Sequence, residues 1–528
     1  MKKTKNIILF ISAITLTIIF FTYSIVVTFD SSHYLWLTSV LNKENFHEWD
    51  IIRGIVFPAF IKVFTIFLGE NPNGIKVGMY IMYSIMITVS YLIYRDIVDK
   101  QNISSKIMKI SIFVIYILFV AINPIIFGYF HTMLTEFIGI TIGVLCCYLA
   151  WKWIEIDWNN KFKYIIYTGI FSILVPIAWQ LKQPYVGTAL FPLIVATAIS
   201  IISKFNKRNV ISKIISLIIV IISLVLSIKI WNYFLKINNV DMKESRSSST
   251  AFSDSILSGI SEYHFTKYPD FQIPDDELEK LPRDIQDTIT KEKNNYKLLI
   301  IVKKPNGEYD LIFSKNSTIK TSDSIKYMMS TIKSDPICFI KGHIKNYLAI
   351  CNIYKIEFEG ARVYNSNELL NITTANENEL IPFKIYEYKQ ESSYYIGVEE
   401  YDKCAQPYKE INNPILGVNW IMRKLSKVCT VIIKILFVAL PFMTIIGVIS
   451  FFIIRKKYNN QFRNTVNLVI ILYSYSLMHI LSHSVLGAII DRYTVPAMVT
   501  TIIGELISVY LIIYKKKFRI IKEKEESI

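Results

Sequence analysis

Residues 211–234 read ISKIISLIIVIISLVLSIKIWNYF, a run whose charged side chains are Lys213 near its start and Lys229 near its end. A helix of about 20 apolar residues crosses the roughly 30 Å of bilayer hydrocarbon and satisfies its own backbone hydrogen bonds, which lipid cannot do. Comparable runs recur along the chain. The sequence therefore predicts a polytopic α-helical membrane protein with about ten spans, near residues 7–29, 75–94, 107–125, 137–154, 164–180, 186–203, 211–234, 428–454, 465–487 and 493–514.

The composition agrees with a membrane protein. Of the 528 residues, 52% are hydrophobic and 19% are charged, and the mean hydropathy is +0.37. A soluble protein would have about a quarter of its residues charged. The net charge of +16 would suit nucleic acid, but the Lys and Arg residues fall mainly in short loops between the apolar runs. That distribution is typical of membrane orientation, and we exclude nucleic acid as a partner.

The basic loops also predict the orientation of the chain in the membrane. Lys2, Lys3 and Lys5 precede the first apolar run, which is longer than the apolar part of a signal peptide and is therefore interpreted as an uncleaved span. If the N-terminus is inside, every second loop is basic, as are both ends of the chain. We expect both termini to lie in the cytoplasm and the protein to lie in the plasma membrane. The abundant Ile, Lys and Asn residues of the chain indicate a bacterial source.

The spans divide the chain into three parts. We expect an N-terminal bundle of seven spans over 1–235, an extracytoplasmic α+β domain over 236–427, and three further spans with a basic cytoplasmic tail over 428–528. Within the polar domain, alternating runs at 297–302 and 309–313 predict strands on either side of a turn. In the first outer loop, the apolar but Pro-containing run 55–68 is too short for a span and predicts a helix lying along the interface.

Charged residues at the outer ends of spans are the most informative polar positions. A charge at the centre of a spanning helix costs about 2.5–3.5 kcal/mol, so charges near bilayer depth usually have a reason. Each position also has an ordinary explanation: Asp30 marks where the first helix leaves lipid, Glu136 complements a helix dipole, Lys182 snorkels, and Arg492 pairs with its neighbour Asp491. The candidate site residues are Asp30, Tyr34, Arg53, Glu136, Lys182, Arg492 and Tyr493.

If the bundle brings these residues together, they form a site for an anionic, lipid-linked substrate. A carboxylate such as Asp30 or Glu136 accepts a proton from a hydroxyl group. Cations stabilise a phosphate leaving group, and an arginine binds it with two hydrogen bonds. His479 and His483, four residues apart on one helix face, permit a shared metal ion, but no third ligand is evident, and two buried histidines within the bundle are the preferred interpretation.

The order of these features resembles the GT-C superfamily of membrane glycosyltransferases, which includes protein O-mannosyltransferases and aminoarabinose transferases. The resemblance covers residues 1–203 and 465–514. Its first two motifs are an acid and an aromatic after the first span, here Asp30 and Tyr34, and a Pro-containing outer helix, here Arg53-Gly54-Ile55-Val56-Phe57-Pro58 with Gly69. The next two are an acid that opens the fourth span, here Thr135-Glu136, and a basic residue near a Pro after the fifth span, here Lys182 and Pro184. The last is an Arg-Tyr before a late Pro, here Arg492-Tyr493-Thr494-Val495-Pro496.

The resemblance implies an inverting transfer of a monosaccharide from a polyprenyl-phosphate carrier. By carry-over, Asp30 is the base and Glu136, the second catalytic residue, orients the acceptor or assists. Lys182 and Arg492 hold the phosphate, and Tyr34, Arg53 and Tyr493 complete the substrate site. The acceptor is a cell-wall polymer, surface polysaccharide, lipid or protein outside the cytoplasm. The family's paired acids are reduced here to Asp30-Ser31, so no metal ligand is assigned and a divalent metal stays an open alternative.

The sequence leaves three other functions open. A polysaccharide polymerase or ligase would use a polyprenyl-diphosphate oligosaccharide and would favour several outer arginines. A transporter of lipid-linked glycans would carry charges near the middle of its spans, where Glu505 is the one candidate acid. A scaffold or receptor would leave the charges at the outer ends without a common purpose.

Overall fold

The computed structural model describes most of the membrane part of the chain. It covers residues 2–240 apart from 24, 26, 28, 52, 100–105, 157–158 and 204–206, then 299–303, 309–313, 336–351, 353, 406–408, 416–454, 460–485 and 491–514, with a few single positions between 279 and 404. Every structural statement below concerns these residues.

The described chain is almost entirely helical. The helices are α1 (Lys2–Thr22), α2 (Phe29–Ser39), α3 (Val56–Leu68), α4 (Pro72–Tyr94), α5 (Lys106–Tyr116), α6 (Pro124–Tyr129), α7 (Glu136–Ile154), α8 (Lys161–Leu181), α9 (Tyr185–Ile202), α10 (Lys207–Ile237), α11 (Pro336–Ile350), α12 (Leu416–Ile454), α13 (Asn460–Val485) and α14 (Val495–Tyr514). Short 3₁₀ turns lie at Phe46–Glu48, Gln406–Tyr408 and Asp491–Thr494, and π-turns extend α4 over Arg95–Asp99 and α5 over Ile117–Ala121.

Nine helices of the described chain are long and apolar enough to span a membrane, and each overlaps a predicted span. The protein is therefore a multi-pass membrane protein, as the sequence predicted. The spans are Pro72–Val98, Ile107–Tyr129, Glu136–Ile154, Lys161–Leu181, Tyr185–Ile202, Lys207–Ile237, Lys424–Ile453, Asn460–Val485 and Arg492–Tyr514.

The first predicted span differs from the observed helix. We expected one helix over 7–29, whereas α1 ends at Thr22 and a separate helix, α2, begins at Phe29. The described apolar part of α1, Ile11–Thr22, is short of a full span, so the tenth span stays a prediction. Asp30 accordingly lies in the first turn of α2 rather than at the end of a span. Ser31, Ser32 and His33, which follow Asp30 in α2, are all buried.

The first outer loop contains the predicted interfacial helix. α3 covers Val56–Leu68, with its start buried and its end apolar and exposed at Ile66 and Phe67. Gly69 ends it with a φ of +85°, a left-handed conformation that glycine adopts without strain. Asn71 then caps α4 by accepting a hydrogen bond from the Gly74 amide at 3.1 Å. This abrupt turn folds α3 back against α4.

The polar segment between α10 and α12 is described only in small parts. Strands β1 (Leu299–Lys303) and β2 (Tyr309–Phe313) form an antiparallel hairpin near the predicted boundaries. Among the described residues no strand lies beyond this hairpin, and the α+β domain expected over 236–427, which falls largely outside them, stays a prediction. α11 packs on the membrane bundle: the Asn346 amide donates to the Ser484 carbonyl at 3.1 Å, and the Tyr347 hydroxyl donates to the Phe437 carbonyl at 2.7 Å.

The two ends of the bundle carry different charge networks. At the end where α7 finishes, Lys152 pairs with Asp96 at 2.8 Å, and Arg95 pairs with the same carboxylate at 3.2 Å. The Trp151 indole donates there to the Asn464 carbonyl at 3.0 Å, which joins α7 to the start of α13. The opposite end, where α7 begins and α8 finishes, contains every candidate site residue.

Candidate functional site

Five chain segments meet at one end of the bundle. They are the first turns of α2, the loop before α3, the start of α7, the turn between α8 and α9, and the 3₁₀ turn Asp491–Thr494 before α14. The Ser31 hydroxyl of α2 donates to the Met133 carbonyl at 2.7 Å, which holds Asp30 beside the chain leading into α7. The ends of α2, α7 and α14 therefore face a common space.

Asp30 lies between two arginines. The Arg53 guanidinium contacts one carboxylate oxygen of Asp30 at 3.2 Å, and the Arg492 guanidinium donates to the other oxygen. Arg53 also donates to the Tyr34 hydroxyl at 3.1 Å. The Asp30 side chain keeps 17% of its surface exposed and the two arginines keep 19% and 18%, so these ion pairs are partly accessible to solvent.

Glu136 forms the second half of the network. Its carboxylate is 1% exposed and lies 3.4 Å from the Lys182 ammonium and 3.5 Å from Nε of Arg492. The Thr135 hydroxyl donates to its other oxygen at 3.3 Å. Glu136 is also in the first turn of α7, where the helix dipole favours a negative charge. Arg492 therefore bridges both carboxylates and joins the site into one network.

Aromatic rings surround the cations of this network. The Lys182 ammonium lies 3.6 Å from the centre of the Tyr493 ring and 5.6 Å from that of Tyr185, both within the range of a cation–π interaction. The Arg53 guanidinium lies 5.1 Å from the centre of the Tyr34 ring. The rings therefore cover part of the surface of each of these two cations.

The two histidines of α13 both contact Tyr493. His479 Nε2 donates to the Tyr493 carbonyl at 2.8 Å, and the Thr188 hydroxyl then donates to Nδ1 at 3.1 Å. His483 is buried and stacks on the Tyr493 ring with 4.7 Å between the ring centres. Among the residues that the structure describes, no group of three His, Cys, Asp or Glu side chains has the arrangement of a metal site. The interpretation as buried bundle histidines therefore agrees with the geometry.

The charges at the site set the protonation of its outer groups. Burial raises the pKa of the Asp30 carboxyl, but the charges of Arg492 and Arg53 outweigh it and hold that pKa well below its ordinary value. Burial, assisted by the Arg53 charge, lowers the pKa of His33 to about 4. Asp30 is therefore ionised and His33 is neutral at physiological pH. His33 lies 3.5 Å from the Asp50 carboxylate.

The arrangement is suited to exchanging one anion for another. Each arginine at the site now contacts a carboxylate, and a phosphate entering the same space presents more oxygen acceptors for these donors. If a guanidinium moved towards such a phosphate, the Asp30 carboxylate would lose part of its stabilisation. Its pKa would then rise towards the ordinary range, where a carboxylate is a better proton acceptor.

All seven residues named from the sequence lie in this one network, although their roles stay predictions. The ordinary explanation for Arg492, pairing with its neighbour Asp491, does not account for its bridging position between two distant carboxylates. The sequence did not identify three residues that contact the segments of this network: Trp49, whose indole donates to the Arg53 carbonyl, Gln180, whose side chain accepts from the Ile55 amide, and Tyr185, whose ring lies near the Lys182 ammonium. Gln180 and Tyr185 flank Lys182 closely in the chain, which was the one available signal.

Comparisons of the chain with protein-family models, characterised proteins and solved structures gave no match. The class that fold and site define is a multi-pass membrane protein with a charged, aromatic-lined site at one end of its helical bundle.

Proposed function

We propose that the protein is a glycosyltransferase that moves a monosaccharide from a polyprenyl-phosphate carrier to an acceptor outside the cytoplasm, with inversion. The observation that carries the proposal is the position of Asp30 between Arg53 and Arg492, with Lys182 and Glu136 directly adjacent. This places a potential base among three cations at the end of a membrane bundle. A lipid-linked phosphate and a hydroxyl acceptor are the substrates that such a group fits.

The orientation of the charges supports an extracytoplasmic site. The bundle end with Lys152 and Arg95 adjoins the basic loops and, by the positive-inside rule, faces the cytoplasm. The Asp30 network lies at the other end and therefore faces outwards. There it meets the phosphate of a carrier lipid in the outer leaflet, with the polyprenyl chain in the bilayer. The bilayer thus surrounds the helices and also contains the lipid-linked donor.

The proposed transfer gives each of these groups one task. An acceptor oxygen attacks the anomeric carbon of the sugar and forms the new glycosidic bond while the bond from that carbon to the phosphate oxygen breaks. The acceptor proton goes to the Asp30 carboxylate, and the bonding electron pair leaves with the polyprenyl phosphate. Arg53, Lys182 and Arg492 stabilise the negative charge that develops on that phosphate. Glu136 keeps Lys182 and Arg492 in place for this task.

The experiment is a transfer assay with purified protein and a panel of radiolabelled polyprenyl-phosphate monosaccharides, with membranes of the source cells as acceptor. Asp30→Asn removes the base, and Asp96→Asn is the matched control because Asp96 also contacts two cations, at the opposite end of the bundle. Wild type and Asp96→Asn are expected to transfer sugar. Asp30→Asn is expected to lose about 10²–10⁴-fold of the rate.

The other outcomes separate the competing functions. Transfer that survives in folded Asp30→Asn protein keeps the enzyme class and removes Asp30 as the base. If the folded protein rejects all monosaccharide donors but elongates or transfers a polyprenyl-diphosphate oligosaccharide, it is a polymerase or ligase. Movement of a labelled lipid-linked glycan across vesicles, without any transfer, identifies a transporter.

A further inference from the structure

The loop that carries Arg53 is fixed on both of its sides. On one side, the Trp49 indole donates to the Arg53 carbonyl at 3.0 Å, and the Arg53 amide donates to the Asp50 carbonyl at 3.0 Å. On the other side, the Ile55 amide donates to the side-chain oxygen of Gln180 at 3.2 Å. The backbone at Arg53 is therefore held from within its own loop and from the end of α8.

Gly54 makes the second contact possible because it brings two backbones together. A Cβ at Gly54 would overlap the backbone carbonyl of Gln180. A backbone atom cannot swing aside as the end of a side chain can, so any larger residue at this position separates the loop from α8. The glycine is thus required for close approach, which is one of the recurrent uses of glycine.

Gln180 connects two of the site's cations. It is the penultimate residue of α8, and Lys182 follows two positions later at the C-cap of that helix. Its side chain holds the amide two residues after Arg53. We infer that Gln180 is a positioning residue that fixes the Arg53 guanidinium relative to the Lys182 ammonium, so that both cations contact the same phosphate. The part about phosphate rests on the proposed function; the positioning of Arg53 does not.

Simple helix packing does not require this contact. Gln180 is 8% exposed, and burial of an amide side chain costs free energy unless it finds partners. An apolar side chain would pack at the same position without that cost. The polar side chain instead provides a directional acceptor for one specific amide, at the point where the Arg53 loop meets the Lys182 turn. Orientation of a catalytic group is the benefit that offsets the cost, because small misplacements greatly slow a reaction.

Three variants test the inference. Gln180→Leu keeps the approximate size of the side chain and removes the acceptor, whereas Gln180→Glu keeps an acceptor oxygen in the same place. Gln183→Leu makes the same replacement three residues further on, in the turn, and serves as the control. Two measurements need no enzymatic activity: the hydrogen–deuterium exchange rate of the Ile55 amide, and the rate at which phenylglyoxal modifies Arg53, both followed by mass spectrometry.

In Gln180→Leu we expect the Ile55 amide to exchange up to about tenfold faster, the equivalent of one ordinary hydrogen bond, and Arg53 to be modified faster. Gln180→Glu is expected to restore both rates towards wild type, and Gln183→Leu to leave them unchanged. If Gln180→Leu matches Gln183→Leu in both measurements, Gln180 does not position Arg53 and the inference is wrong.

The transfer assay then tests the link to catalysis. If transfer depends on the position of Arg53, kcat/KM for the phosphate-linked donor is expected to fall about 10–100-fold in Gln180→Leu and to recover in Gln180→Glu. If Arg53 is displaced in Gln180→Leu while kcat/KM stays at the wild-type value, the spacing of the cations does not matter for transfer and that part is overturned. If wild type itself transfers no sugar, the proposed function fails, while the exchange and modification rates still decide the positioning.

Discussion

Arg492 donates a hydrogen bond to the carboxylate of Asp30 although 462 positions separate the two residues in the sequence. The contact joins α2 to the 3₁₀ turn that precedes α14. Arg492 also reaches Glu136 at the start of α7. Three segments that are remote in sequence are thus held by one guanidinium, and changes at this residue act on both carboxylates at once.

The acid side of the pH–rate profile is expected to move when Arg53 is neutralised. The charges of Arg492 and Arg53 keep the pKa of Asp30 below its ordinary value, so the wild-type base stays ionised into the acid range. In Arg53→Gln one of these charges is lost, the Asp30 pKa rises, and the acid limb of kcat/KM is expected to shift upwards by about 1 pH unit or more.

The same substitution also affects His33, because the Arg53 charge helps to lower the pKa of that imidazole to about 4. His33→Gln in the Arg53→Gln background separates the two groups. If Asp30 causes the shift, the double variant keeps it. If the shift disappears together with His33, the imidazole and not Asp30 controls the acid limb.

Stability is expected to depend on Asp30 only when its carboxylate is ionised. Its pKa is lower in the folded than in the unfolded state, so the ionised group stabilises the fold above the unfolded-state pKa of about 3.9. This contribution is lost as the pH falls below that value. The difference in thermal unfolding between wild type and Asp30→Asn in detergent is therefore expected to be constant above about pH 5 and to shrink at lower pH. A difference that grows on acidification would contradict the stabilised carboxylate.

Glu136 is expected to matter for stability as well as for transfer. Replacement by Ala removes a buried carboxylate and leaves Lys182 and Arg492 without it. Breaking a buried ion pair costs up to about 3–5 kcal/mol, and less here because both cations keep some contact with water. Glu136→Gln retains an acceptor oxygen and is expected to lose less stability than Glu136→Ala in thermal unfolding. Equal losses in the two variants would show that packing, and not the polar contacts, determines the effect.

The membrane fold was largely predictable, because spanning helices are a local property of the sequence. Nine apolar runs predicted nine helices, including α10 and α14. The prediction was wrong between α1 and α2, since a continuous apolar run does not reveal that the chain leaves one helix at Thr22 and begins another at Phe29. The polar region gave only one hairpin that agrees with the predicted strands, and the rest of 236–427 lies largely outside the described residues.

The charged residues of the site could be predicted from the sequence, whereas the residues that position them could not. A carboxylate or arginine near bilayer depth stands out in any sequence, so Asp30, Glu136 and Arg492 were found. Trp49, Gln180 and Gly54 are ordinary residues in their local context. Gln180 and Gly54 matter through contacts between segments more than 100 positions apart, such as the Ile55 amide with Gln180, whereas Trp49 contacts Arg53 within its own loop. No charge pattern marks any of these three residues.

The contact of Lys182 with the Tyr493 ring is expected to contribute to donor binding. The ammonium lies 3.6 Å from the ring centre, a geometry that contributes about 0.5–2 kcal/mol. Tyr493→Phe retains the ring, whereas Tyr493→Leu removes it and frees Lys182 to move. We expect Tyr493→Leu to raise the KM for the lipid-linked donor several-fold and Tyr493→Phe to change it little. A similar rise in both variants would assign the effect to the hydroxyl group instead of the ring.

Close packing behind the site is expected to make alanine destabilising at Gly139 of α7. A Cβ at Gly139 would lie 2.7 Å from the ring of Tyr185, whose ring also faces the Lys182 ammonium. In Gly139→Ala the ring must move, and overpacking of this kind typically costs about 1–3 kcal/mol. Thermal unfolding in detergent is expected to show this loss, and the KM for the donor to rise because Tyr185 moves.

Gly169→Ala is the matched control, since it makes the same substitution in the middle of α8, where a Cβ meets no atom within 4 Å. The higher helix propensity of alanine is the main change there, so stability is expected to stay constant or to rise by up to about 1 kcal/mol. If Gly139→Ala is as stable as Gly169→Ala and binds the donor equally well, the Tyr185 ring adapts without cost. The close packing of α7 against α9 then does not fix the position of Lys182, and Lys182 depends on Glu136 and Tyr493 alone.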